Sequence, residues 1–156
     1  MEKMNVSGVA KDNDVVRISL MELDDMPGVA FRIFSLLSQH KINVDIILQS
    51  IGYGDKKNIS FTIAQSNRDK AEKVLRDNQE ALGFANLSLN DQLSKVSIVG
   101  AGMIGNAGVA ASMFEALSNA GINIHMISTS EIKISVLIDK KDAENAVQAI
   151  HAKFFN

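Results

Sequence analysis

The chain reads as an α+β protein built from two copies of one small module, the first copy inserted in the second. Three observations carry this. The segment Asp25, Met26, Pro27, Gly28, Val29, Ala30 through Phe34 returns as Asn106, Ala107, Gly108, Val109, Ala110 through Phe114, with Gly28 and Gly108 80 positions apart. Asn43 and Asn123 keep that spacing without a gap, as do Leu37 with Leu117 and Ser50 with Ser130. A repeat of this length is a duplicated domain, not an array of short solenoid units. Second, both copies show the same succession of strand and helix patterns. Third, the second copy ends one strand short, while a spare strand, Val6 to Ala10, precedes the first.

In the first copy, Val16, Ile18 and Leu20 alternate with Arg17 and Ser19, which is strand periodicity. Pro27 suits the first turn of a helix and Asp25 is placed to cap it. Ala30, Ile33, Phe34 and Leu37 then recur at helical spacing, and His40 and Lys41 suit the negative end. Val44, Ile46, Ile47 and Leu48 read as a second strand, Gly52 to Asp55 as a turn, and Ile59, Phe61 and Ile63 as a third strand. Ser66 to Asp69 opens a polar helix that buries Ala71, Val74 and Leu75, and Phe84 to Leu89 is a fourth strand. The order β-α-β-β-α-β is the ferredoxin-like pattern.

The second copy runs from a strand with Val96, Ile98 and Val99 to a helix that buries Val109, Met113, Phe114 and Leu117. Strands over Asn123 to Ser130 and Ile132 to Ile138 follow, then an amphipathic helix from Asp142 to Phe155 with Ala146, Val147, Ile150 and Phe154 inward. The expected modules are residues 15–90, and residues 5–12 together with 93–156. The N-terminal strand is expected to complete the second sheet; a strand lent by another chain is the alternative.

The 156 residues have 46% hydrophobic content, enough to fill such cores, and a formal charge of −2 gives no footprint for nucleic acid or an anionic membrane. With no cysteine there is no disulfide, thiolate metal site or cysteine nucleophile. No apolar run is long enough to span a bilayer and no signal peptide opens the chain, so a cytoplasmic protein is expected. His40, His125 and His151 lack metal-ligand spacing, and no phosphate-binding P-loop occurs. Asp24 and Asp25 are adjacent, so their side chains do not face each other as a catalytic pair. No catalytic residue and no metal site is assigned.

One motif invites another reading. Val96 to Val99 followed by Gly100, Gly102 and Gly105 has the strand-then-G-x-G-x-x-G form of a dinucleotide site. Its context argues against it. The next strand ends in Ser128, Thr129 and Ser130 with only a late Glu131, and a hairpin follows in place of a doubly wound sheet.

Paired modules of this order, with Asp25, Pro27, Gly28 and Ala30 before the first helix, resemble ACT domains, the amino-acid-sensing modules of biosynthetic enzymes. The runs Ile42 to Gln49, Asp91 to Met103 and Ile127 to Ile138 resemble the C-terminal regulatory region of aspartate kinases, which in the alpha/beta form of that enzyme is also made alone as the beta subunit. The kinase domain's phosphate-binding segment has no counterpart here. The resemblance therefore implies a beta subunit or a regulatory fragment, inactive alone, whose catalytic chain would carry ATP and magnesium; this chain itself needs no cofactor.

The same resemblance implies a homodimer whose effector sites lie between modules. The loop of Asp25, Met26, Gly28, Val29 and Ala30 would face Asn123 and Ile124; the loop of Met103, Asn106, Gly108, Val109 and Ala110 would face Asn43, Val44 and Asp45. Backbone N–H groups at each helix N-terminus suit a carboxylate. Asp25, Gln49 and backbone carbonyls suit an ammonium, and Ser128 and Thr129 complete the set. Asp45 in the first copy stands where His125 does in the second, so the Gly108 site suits lysine and the Gly28 site a shorter amino acid such as threonine. A stand-alone sensor with another partner, and an NAD(P)-binding fragment, are the alternatives.

Overall fold

A computed structural model describes residues 6–100 and 107–155. The chain forms two compact units: one is Asp14–Asp91, the other is assembled from the segments that flank it. Each carries an antiparallel four-stranded sheet with helices packed on it.

The first unit contains β2 (Val16–Asp24), α1 (Val29–Gln39), β3 (Ile47–Ile51), β4 (Lys56–Ile63), α2 (Arg68–Asp77), the one-turn α3 (Gln79–Leu82) and β5 (Asn86–Asn90), with strand order β3-β4-β2-β5. Ile18, Leu20, Ile59 and Phe61 face Val29, Ile33 and Leu37 of α1 and Ala71 and Leu75 of α2 in one core. Phe34 meets Phe61 edge-on at 5.4 Å. The strands are hydrophobic at every second residue and the helices at every third or fourth, so one face of each element is buried.

The second unit contains β1 (Gly8–Asp12), β6 (Leu93–Val99), α4 (Ala107–Asn119), β7 (Met126–Thr129), β8 (Lys133–Asp139) and α5 (Ala143–Phe155), ordered β1-β6-β8-β7. The N-terminal strand does complete this sheet: Gly8 pairs with Val99 and Asp12 with Lys95, antiparallel. Ser94 Oγ donates to Asp12 O at 3.3 Å and Lys11 pairs with Glu144, which ties β1 to β6 and α5. β1 thus stands where β5 stands in the first unit, and the first module is inserted in the second. Val96, Ile98, Met113, Leu117, Val136, Ala146 and Ile150 form the core. Among the described residues no helix is long and apolar enough to cross a membrane.

Several boundaries differ from the sequence reading. β1 begins at Gly8 and not Val6, although Val6 and Val9 pack against the core. β3 begins at Ile47: residues 43–46 are not strand, although Asp45 N donates to Thr62 O and Thr62 N to Ile46 O, both at 3.0 Å. Ile46 N goes to the Thr62 hydroxyl, also at 3.0 Å, and not to a backbone carbonyl, so the segment stays bound to β4 with an irregular pattern. β7 likewise spans only Met126–Thr129, and β5 starts at Asn86, after α3 and a turn through Gly83 at φ 83°. α2 is entered through a short 3-10 turn (Gln65–Asn67), and Asn67 makes no side-chain cap.

Candidate functional site

The stretch between β2 and α1 is built by a bulge. Leu20 pairs with Ile59 but Leu23 pairs with Lys57, so Met21 and Glu22 together oppose Asn58. Glu22 takes φ 61° and donates its N–H to Asn58 Oδ1 at 3.0 Å. A bulge of this kind bends the strand and re-aims the residues beyond it. Leu23 turns into the core, Asp24 pairs with Lys56, and Asp25 N donates to Asp55 O at 2.8 Å. Lys56 holds the Asp24 carboxyl below its ordinary range, chiefly by a hydrogen bond, and Asp24 in turn raises the Lys56 ammonium.

Asp25 does not cap the helix. The N-cap is Gly28, at φ 92°, with no side-chain hydrogen bond to the first turn. Pro27 fixes the backbone ahead of a residue whose left-handed conformation only glycine adopts cheaply. The Asp25 carboxylate instead lies 3.6 Å from the ammonium of Lys57. Met26 is half exposed, Val29 is buried in the core and Ala30 is half-buried. The first-turn N–H groups of α1 therefore meet no side chain of their own cap and are available to an anionic group.

At the other end of α1, Asn43 and Asp45 are exposed and Val44 packs on the core. An eleven-residue helix puts this end roughly 16 Å from Gly28. Gln49 lies exposed on the edge strand β3, opposite Ile59. One module by itself therefore does not bring a glycine loop and a strand-entry segment together.

The second module repeats this layout. Asn123 is exposed, Ile124 half-buried and packed on the core, and His125 exposed, in the same burial order as Asn43, Val44 and Asp45. His125 N donates to Leu137 O at 2.7 Å, as Asp45 N does to Thr62 O. The side chains diverge: His125 Nε2 is 2.8 Å from Asp139 Oδ1, inside its own module. Ser128 faces Ser135 and Thr129 faces Ile134 on the edge strand β7. Gly108 is not the counterpart of Gly28 in conformation: it lies within α4, one residue after the helix begins. Val109 is buried and Ala110 half-buried. Met103 and Asn106, with the glycines Gly102 and Gly105, lie outside the described residues. The sheet beyond them is antiparallel with a β7–β8 hairpin, not the parallel sheet a dinucleotide fold requires.

Sequence reasoning missed Lys57. Its position in the alternation Lys57, Ile59, Phe61, Ile63 was the available signal: a lysine set on the inward face of a strand. A surface cleft of about 680 Å³, lined by Glu22, Lys56, Arg76, Glu80 and Phe84 among others, contains none of the residues assigned to the effector sites. It is open and shallow, and the Gly28 loop has the more specific chemistry.

Two modules, each a four-stranded antiparallel sheet in the same strand arrangement with two main helices packed on it, define a tandem ACT protein. The family model described as ACT domain matches residues 21–79 and 96–154, and the chain belongs to that family. Among curated relatives it is similar to an aspartate kinase of Pseudomonas fluorescens, 42% identical over 99% of this chain and 37% of that protein. The chain thus spans little more than a third of that relative's length. Among solved structures it is similar to the ligand-free regulatory subunit of aspartate kinase from Thermus thermophilus: TM-score 0.91, 37% identity, over 96% of this chain and 99% of that one. It is equally similar in kind to a chain of an aspartokinase alpha and beta subunit structure: TM-score 0.89, 40% identity, over 96% and 98%. Within the ACT family, then, the chain is a regulatory ACT region of the aspartate kinase type.

Proposed function

We propose that this chain is the feedback-sensing part of an aspartate kinase: it binds lysine, threonine or both where modules pair, forms a homodimer through them, and controls aspartate phosphorylation by a catalytic chain. The observation that carries the reading is the match over nearly the full length of both chains to an aspartate kinase regulatory subunit. Two features support the amino-acid chemistry. The α1 N-terminus opens at Gly28 with no side-chain cap, which suits a carboxylate. The glycine loop and the strand-entry segment stand at opposite ends of a helix, so a site using both draws on two modules. A ligand held between modules favours one quaternary state over another, which is what an allosteric inhibitor requires.

Asp45 and His125 make the two sites unequal. We assign lysine to the pairing that includes Asp45 and threonine to the Gly28 loop. The test is calorimetric titration with each amino acid, with sedimentation to follow assembly. Asp45→Ala is expected to weaken lysine binding about tenfold and to leave threonine within about twofold, as loss of one charge-assisted contact predicts. Equal losses for both would overturn the assignment, and failure of the unsubstituted chain to bind either would overturn the sensing reading.

A further inference from the structure

We propose that Lys57 and Asp25 form the zwitterion-binding pair of the first module's site, Lys57 receiving the amino acid's carboxylate and Asp25 its ammonium. This rests on the amino-acid-sensing reading above and names residues within it. Among the described residues Lys57 is the one charged side chain that is buried, at 8% exposure. The other buried polar residues have hydrogen bonds: Thr62 Oγ1 accepts from Ile46 N at 3.0 Å, Ser94 Oγ donates to Asp12 O at a longer 3.3 Å, and the Ser97 and Ser135 hydroxyls share one at 2.7 Å. Lys57 has an ion pair with Asp25 at 3.6 Å, too long for a hydrogen bond. A lysine accepts burial of its stem when its ammonium reaches a polar rim. Here that rim is the mouth of the β2–α1 loop.

Three features place the ammonium there. Lys57 pairs with Leu23 across the β2–β4 ladder, two residues before Asp25. Asp25 N is fixed to Asp55 O at 2.8 Å, so the loop and the β3–β4 hairpin are joined. Gly28, the uncapped start of α1, follows Asp25 by three residues. Asp25 remains two-thirds exposed, so one partner faces solvent and the other is sheltered from it. A free amino acid carries its two charges a few ångströms apart and in the same complementary order. It can exchange for the Lys57–Asp25 contact without leaving an unpaired charge, and the sheltered ammonium is little screened by salt. Among the described residues the second module has no such pair. Ile134 faces Ile98 as Ile59 faces Leu20, and the residue two before it is Ile132, apolar and exposed.

The test uses the whole chain and two probe pairs: threonine with threoninol, and lysine with cadaverine, the second of each pair lacking the carboxylate. Lys57→Met is expected to weaken threonine at least about tenfold, as loss of a charge-assisted hydrogen bond predicts. Threoninol, lysine and cadaverine should keep their unsubstituted affinities, and Lys57→Arg should restore most of the threonine affinity. The proposal is overturned if Lys57→Met leaves both amino acids unchanged. It is equally overturned if all four probes weaken together, which marks a folding role. If the unsubstituted chain binds neither amino acid, the sensing reading fails first and takes this assignment with it.

Discussion

Leu37 in the first module and Leu117 in the second occupy one place: the inner face of the helix after the first strand, fully buried, 80 residues apart. Around them the cores correspond, Ile33 with Met113 and Ile42 with Ile122. The rims do not correspond. In the first module a bulge at Met21 and Glu22 carries β2 on to Asp24 and delivers two acid–lysine pairs to the start of the helix. In the second, β6 pairs with β8 from Leu93 to Val99 without a register shift, and the edge strand comes from the other end of the chain. Duplication preserved what packing requires and let the residues ahead of the helix diverge in sequence, Asp24, Asp25 and Pro27 having no acid or proline to match them in the second copy. A core position tolerates little change in volume, whereas an exposed loop end tolerates a change of charge.

The sharpest test of the shared half is the leucine pair. Leu37→Ala and Leu117→Ala each remove a fully buried side chain from equivalent surroundings, and each should destabilise its own module by about 3 kcal/mol. Amide hydrogen exchange, which reports each module separately, should show protection lost in the substituted module and retained in the other. A cost near zero at either position would break the equivalence of the two cores.

The glycine pair probes the divergent half, and the two substitutions should have opposite signs. Gly28 sits at φ 92° with nothing within 4 Å of an added Cβ, so Gly28→Ala meets backbone strain alone and should cost about 1 kcal/mol. Gly108 is exposed within α4, where alanine is the better helix former, so Gly108→Ala should stabilise by up to about 0.8 kcal/mol. Urea denaturation midpoints of the two variants decide it. Losses at both positions would mean that the two glycines do the same work after all.

That glycine difference shows where the sequence stops being legible. The repeat, the helix faces and the missing strand could all be read from residue spacing, because burial imposes periodicity on sequence. The spare strand before Val16 came instead from counting strands between the two copies, since β1 has no buried residue to impose a pattern. Gly28 and Gly108 look alike in the repeat, yet one is a left-handed cap and the other a helical residue; that depends on where α4 begins, and capping is decided by a turn or less of chain. Asp25 looked like a cap because its type is right, but the structure pairs it with Lys57, 32 positions away, a contact no local pattern encodes. The bulge was hidden because Glu22 stands where glycine is the usual residue. Candidate ligand residues were found by type and by resemblance; the partner of Asp25 required the ladder register.

The smallest expected effect is acid sensitivity at the first module's rim. Asp24 is held below its ordinary range by Lys56, so the folded state binds that proton less readily than the unfolded chain does. The pair's contribution is therefore fully present above the ordinary carboxylate range, near pH 4, and is lost as pH falls through the lowered folded value. Lys56 gives the mirror case: raised in the folded state, it contributes at neutral pH and loses that contribution as pH climbs through and beyond its usual range near 10. Both groups are largely exposed, so salt should weaken the effect at either end. Thermal midpoints measured from pH 7 down to pH 3 should fall less steeply for Asp24→Asn than for the unsubstituted chain, and the gap between the two curves should narrow in 1 M salt. Parallel curves would show that the Asp24–Lys56 pair adds nothing to stability, leaving the bulge hydrogen bond from Glu22 to Asn58 and the backbone bond from Asp25 to Asp55 to hold the loop.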